Sequence, residues 1–104
     1  MAWTLLILAG LFEIGFTTFL KLSDGFSRFW PSLGFLVCAA ISFWLLTRAA
    51  AVIPMGTAYA VWTGIGAFGT ALVGILWFGD PTTTWRLVFL VLLIGSIIGL
   101  KLVS

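Results

Sequence analysis

Histidine is absent from the sequence, Cys38 is its single cysteine, and charge is limited to five basic and three acidic residues. Without histidine, the commonest metal ligand and general base at neutral pH is missing. A single cysteine excludes a disulfide within the chain. These absences argue against a metalloenzyme and against a Ser-His hydrolase, so we expect neither catalysis nor a metal or cofactor. Five basic side chains are also too few for a surface that binds nucleic acid.

Apolar side chains, in contrast, make up most of the chain. Hydrophobic residues account for 62% of the sequence and charged residues for 8%, whereas charged residues are about 25% of an average soluble domain. A core built from 104 residues cannot hide so much apolar surface from water. The composition therefore predicts an integral membrane protein whose side chains largely face the lipid bilayer.

Four apolar runs are long enough to cross a bilayer, which requires about 20 residues per helix. They cover residues 2–20, 29–47, 55–78 and 85–103, and polar or turn-forming residues separate them. The first run is not preceded by a basic residue, so we expect the N-terminus to be retained rather than cleaved as a signal peptide. The pattern predicts an all-α integral membrane protein in which residues 1–104 form one domain of four transmembrane helices.

The basic residues give little indication of orientation. Four crossings place Arg48 and Lys101 on one side of the membrane, and Lys21, Arg28 and Arg86 on the other. A difference of one basic side chain is a weak signal under the positive-inside rule. We therefore predict insertion in both orientations, with the alternative that another feature of the chain fixes one of them.

Glu13 is an acidic residue in the middle of an apolar run, whereas Asp24 and Asp80 fall in predicted loops. An ionised carboxylate is costly inside a membrane and usually marks a site or pathway. Helical spacing puts Gly10 and Thr17 on the same face as Glu13, which predicts a cavity lined by small and hydroxylated residues. Because burial disfavours the charged form, the carboxyl group can hold either a proton or an organic cation. The alternative is a protonated packing residue held by a neighbouring hydroxyl group.

The third run contains polar and aromatic residues at helical spacing. Those that share one face are Tyr59, Trp62, Thr63 and Gly66. Aromatic rings attract cations through their negative faces, so this face predicts a cation site. Taken alone, the two aromatic residues are more typical of packing or of the membrane interface. Ser42, in the second run, is expected to bond either to its own helix or to Glu13.

Gly95 and Gly99 stand four residues apart in the fourth run, a spacing that lets two helices approach closely. The spacing fits packing within the chain and contact between two copies equally well. Four helices are few to enclose a pathway with one acid, which favours a dimer. A symmetric dimer would bring two Glu13 side chains together.

Several motifs in the chain resemble the small multidrug resistance family, bacterial four-helix transporters that exchange protons for organic cations. The resemblance covers essentially the whole chain. The segments that carry it are residues 10–14 around the glutamate, 20–21, 25–28, 31–32, 42–46 and 54–64.

The resemblance implies an antiparallel homodimer with dual topology in the bacterial inner (plasma) membrane. It also implies that Glu13 is the shared proton and substrate carboxylate and that Ser42, Tyr59 and Trp62 line the pocket. The fourth helix would form the dimer seam, at Gly95 and Gly99. The implied partners are small organic cations, protons and a second copy of the chain.

Residues 56–67 resemble the guanidinium-exporting branch of that family. That branch usually has tryptophan where this chain has Phe16, while Thr17 and Thr18 resemble the drug-exporting branch. Phenylalanine keeps the aromatic ring but lacks an N–H donor. We therefore hypothesise a guanidinium exporter that also tolerates quaternary ammonium ions. The alternatives are a quaternary ammonium exporter proper, one subunit of a heterodimeric transporter, and a membrane assembly subunit that does not transport.

Overall fold

The computed structural model of the protein describes residues 1–103, and within them four long helices are joined by short loops. The helices are α1 (Ala2–Leu22), α2 (Phe29–Ala50), α3 (Met55–Trp77) and α4 (Thr84–Val103). Each is long and apolar enough to cross a membrane. The predicted all-α, four-helix membrane fold is therefore confirmed.

The helix ends are set by local turn chemistry. After α1, the Ser23 hydroxyl donates to the Leu20 carbonyl at 2.7 Å and accepts from the Phe26 N–H at 3.2 Å. Asp24, Gly25 and Phe26 then follow with positive φ angles, which reverse the chain. Helix α2 continues past the predicted end at residue 47.

Arg48 explains why α2 runs on to Ala50. Its guanidinium carbon lies 5.1 Å from the centroid of the Trp44 ring on the same helix. A cation in the last turn also interacts favourably with the negative end of the helix dipole. Arg48 therefore stabilises the end of α2 instead of interrupting it.

The four helices form a flat assembly of about one to two helix layers. Its principal extents are 41 × 35 × 17 Å, and one helix with its side chains is about 10–12 Å across. Helix α1 packs against both α2 and α3. The core between these three helices is made by Leu6, Ala9, Leu45, Ala49, Ile53, Ala58, Val61 and Trp62.

Helix α4 lies at the side of this core and contributes no fully buried residue. Among the described helices, only α3 has a backbone close to that of α4. The Ile97 side chain of α4 packs against Gly64 of α3. Gly95 and Gly99 are exposed, and nothing within residues 1–103 comes near the Cβ positions of either glycine. Within one chain, the two glycines therefore do not pack against another helix.

Candidate functional site

The carboxylate of Glu13 lies directly against the backbone of α3 at Gly66. A Cβ atom added at Gly66 would overlap the carboxylate, so only glycine leaves room for it there. The Glu13 Oε1 atom is buried and has no hydrogen-bond donor among the described residues. Leaving a buried acceptor unpaired costs about 1–3 kcal/mol, and more when it is charged. The half-buried Glu13 thus carries a buried oxygen atom that a proton or a cation would stabilise.

Ser42 of α2 is hydrogen-bonded to both other core helices, α1 and α3. Its hydroxyl, which is fully buried, donates to the Ala9 carbonyl of α1 at 2.7 Å. It also accepts a hydrogen bond from the Trp62 indole N–H of α3 at 2.9 Å. The predicted bond to its own helix or to Glu13 is replaced by these two bonds between helices. Ser42 therefore fixes the orientation of the Trp62 ring.

Packing buries part of the polar and aromatic face predicted on α3 and leaves the rest exposed. Trp62 is 8% exposed and Gly66 is buried, whereas Tyr59 is 59% exposed and Thr63 is also exposed. The Tyr59 ring remains close to the Trp62 ring, with centroids 5.7 Å apart. Tyr59 borders an open groove of about 420 Å³ between the end of α2 and the start of α3. Tyr59 is thus available to a ligand or to another chain.

Phe16 belongs to a continuous row of aromatic rings across α1, α2 and α3. Its centroid lies 5.7 Å from that of Phe35, at right angles, and 6.0 Å from that of Phe43, nearly parallel. Phe43 in turn lies 5.5 Å from Trp62. The contacts of Phe35 and Phe43 with Phe16 were not predictable from the sequence, because ring contacts between helices leave no local signal.

Gly10 and Thr17 lie where α1 packs against α3. A Cβ atom at Gly10 would come within 2.6 Å of the Ile65 side chain, so Gly10 permits close helix contact. The Thr17 hydroxyl lies 2.6 Å from the Thr70 hydroxyl and bonds to backbone carbonyls of α1 at 3.0 Å. Both residues join the two helices, and their roles in a cation pocket stay predictions.

No cluster of potential metal ligands occurs among residues 1–103.

Replacing Ser42 with alanine would leave the Trp62 N–H and the Ala9 carbonyl without this partner. The Ala9 carbonyl keeps its bond within α1, but an unpaired buried Trp62 N–H costs about 1–3 kcal/mol, so we expect a lower melting temperature in detergent and weaker cation binding. Calorimetry measures the first quantity and titration the second. Ser32→Ala is the matched control, since its exposed hydroxyl bonds only to the Arg28 carbonyl. Equal effects of the two substitutions would contradict a positioning role for Ser42.

The sequence profile of a family described as Small Multidrug Resistance protein matches residues 1–93. The chain belongs to the small multidrug resistance family. Three curated relatives carry the name Guanidinium exporter. The one from Yersinia pseudotuberculosis serotype I (strain IP32953) is 51% identical over 104 residues, which is 100% of both chains. The relative from Salmonella typhimurium (strain LT2) is 47% identical over 102 residues, covering 98% of this chain and 97% of its own. The relative from Proteus vulgaris is 45% identical over 104 residues, again 100% of both.

Membership in the small multidrug resistance family defines the broad role of the chain. Its relatives are bacterial exporters rather than enzymes. The four helices of this chain are long and apolar enough to cross a membrane. The chain is a multi-pass protein of the inner membrane and a transporter for the efflux of small cations. These findings confirm the predicted family, the predicted location and the absence of enzymatic activity.

Proposed function

We propose that the protein exports guanidinium or substituted guanidinium ions in exchange for protons, and that Glu13 binds both. The observation that carries the proposal is the buried Oε1 atom of Glu13, which has no donor among the described residues. A guanidinium ion supplies N–H donors in a planar array that suits a carboxylate. The relatives named Guanidinium exporter, at 45–51% identity, support the same class of substrate.

Competition at Glu13 couples the export of the cation to the entry of the proton. A carboxylate that binds a proton loses the charge that attracts a cation, so proton and cation occupy the site in turn. Each ligand shifts the transporter between states open to opposite sides of the membrane. A proton gradient directed inward then drives the cation outward. Trp62, oriented by Ser42, offers the face of an indole ring to the bound cation.

A second copy of the chain completes the site in this proposal. Helix α4 presents Gly95 and Gly99 on an exposed surface, where a partner helix can approach closely. The nearly balanced basic residues suit two copies inserted in opposite orientations. The exposed Tyr59 would then face a site shared by the two subunits. An antiparallel homodimer with two Glu13 carboxylates follows.

Phe16 favours tolerance of alkylated cations. Its ring packs between Phe35 and Phe43 and offers no N–H donor. An apolar wall does not penalise a cation that lacks N–H groups. The same observation favours a second candidate function, a quaternary ammonium exporter proper.

Phe16→Trp tests the role of this ring in selectivity. An indole ring at residue 16 is larger than a phenyl ring, and its N–H is a donor that can steady a carboxylate, so it leaves less room for a bulky alkyl group than for a small planar guanidinium ion. We expect the ratio of guanidinium to tetraalkylammonium transport to rise roughly tenfold, which corresponds to about 1.4 kcal/mol. Proton movement in proteoliposomes, measured with each cation in turn, gives the ratio. Equal transport of both cations by the wild type supports broad tolerance, and strict guanidinium transport by the wild type would contradict it.

A further inference from the structure

The interface between α1 and α3 remains polar beyond Glu13. The two helices run in the same direction, so successive turns form layers along their contact. One layer contains the Glu13 carboxylate against Gly66. The next layer contains Thr17 and Thr70, whose hydroxyl oxygens lie 2.6 Å apart. This hydrogen bond joins the helices one turn away from the buried carboxylate.

A cleft of about 110 Å³ extends from this pair of threonines to the end of α1. Thr17, Thr18 and Thr70 lie in its lining, and Lys21, Phe78 and Asp80 lie towards the helix ends. A polar cleft of this size has room for water, since one molecule needs only about 10–15 Å³ of such space. The threonine hydroxyls offer hydrogen-bond partners to water. The cleft therefore brings a polar environment within one helical turn of Glu13.

The charged groups around the cleft come from three parts of the chain. Lys21 of α1 has its ammonium group 5.6 Å from the centroid of the Phe78 ring. Asp80, in the loop between α3 and α4, is paired with Arg86 of α4 at 3.5 Å. The lining itself therefore contains one cationic and one anionic side chain, and water can hydrogen-bond to both.

We propose that the Thr17–Thr70 hydrogen bond is a seal that separates the cleft from Glu13 and prevents proton leak. The proposal rests on the proposed function, because a seal matters only if Glu13 exchanges protons for cations. The cleft lies within one chain, between two helices that pack together, and so it is distinct from a cation pocket that alternates between sides. Protons that reached Glu13 through the cleft would bypass the exchange. While the two threonines are hydrogen-bonded, protons reach Glu13 only through the pocket that the cation also uses.

The test compares passive proton flux without guanidinium in proteoliposomes of the wild type, Thr70→Ala and Thr70→Ser. Thr70→Ala removes the hydrogen bond and a methyl group, while Thr70→Ser keeps the hydroxyl. The net contribution of one hydrogen bond corresponds to a change of about fivefold in an equilibrium, so we expect Thr70→Ala to raise the leak roughly fivefold. Thr70→Ser should match the wild type. Guanidinium affinity should remain unchanged in both variants.

The double variant Thr70→Ala with Glu13→Gln identifies the route of the leak. Loss of the extra flux in the double variant would support the seal, because the leak would then pass through Glu13. A leak that persists without the carboxylate, or a leak in Thr70→Ala equal to that of the wild type, would overturn the proposal. Thr70→Val removes the hydroxyl while keeping a side chain of similar size, and it gives the same test if Thr70→Ala does not fold. Guanidinium-driven flux in the wild type separates the two claims: its absence contradicts the exchange itself, whereas its presence without a variant leak contradicts only the seal.

Discussion

Glu13→Gln is expected to reduce guanidinium-driven proton flux to the level of liposomes without protein. Glutamine has nearly the same shape as glutamate and fits the space beside Gly66. Its amide group is neutral, so it neither releases a proton nor attracts a cation by charge. Both half-reactions of the exchange are therefore lost together. Flux of a pH-sensitive dye trapped in proteoliposomes measures the effect.

Two variants serve as controls for this result. Glu13→Asp keeps a carboxylate on a shorter side chain and is expected to retain part of the flux. Asp24→Asn removes an exposed carboxylate from the loop after α1 and should leave the flux unchanged. Flux of the wild-type size in Glu13→Gln would exclude Glu13 as the coupling residue.

Gly66→Ala is expected to weaken guanidinium binding strongly through a single added methyl group. The new Cβ atom would occupy the space of the Glu13 carboxylate, so the side chain must turn away or the helices must separate. Overpacking of this kind typically costs about 1–3 kcal/mol, which corresponds to roughly 5- to 150-fold in affinity. Titration with guanidinium in detergent measures the loss.

Gly56→Ala is the matched control, because Gly56 is exposed on the same helix and none of residues 1–103 comes near its Cβ position. Alanine favours a helix over glycine by about 1 kcal/mol, so a loss in Gly66→Ala does not come from a weaker α3. Normal guanidinium affinity in Gly66→Ala would mean that the carboxylate does not need its place against the α3 backbone.

The four spans were predictable because they depend on local composition. An apolar run of sufficient length must form a helix in lipid, where each backbone polar group needs a partner. A single acidic residue in such a run is also recognisable from the sequence as a candidate site, since a carboxylate inside the membrane is costly and usually functional. The end of α2 was harder to predict from the sequence, because Arg48 stabilises the helix through its contact with Trp44.

The contacts around Glu13 were not predictable from the sequence. Ser42 bonds to Ala9 and Trp62, and the partner of Thr17 is Thr70 on another helix. Such pairs depend on which helices are neighbours and on how they are rotated, and neither follows from the hydrophobic pattern of one span. Gly66 was placed on the correct helix face, but its contact with the Glu13 carboxylate required the packed structure.

The measurement that tests the central claim most directly is guanidinium affinity of the wild type as a function of pH. If proton and cation compete for Glu13, raising the pH removes the proton and strengthens binding. The account predicts a rise of about tenfold per pH unit for each competing proton, over the range where the carboxyl group is protonated. Asp24→Asn should follow the same curve. Affinity that does not change with pH would contradict exchange of proton and cation at Glu13.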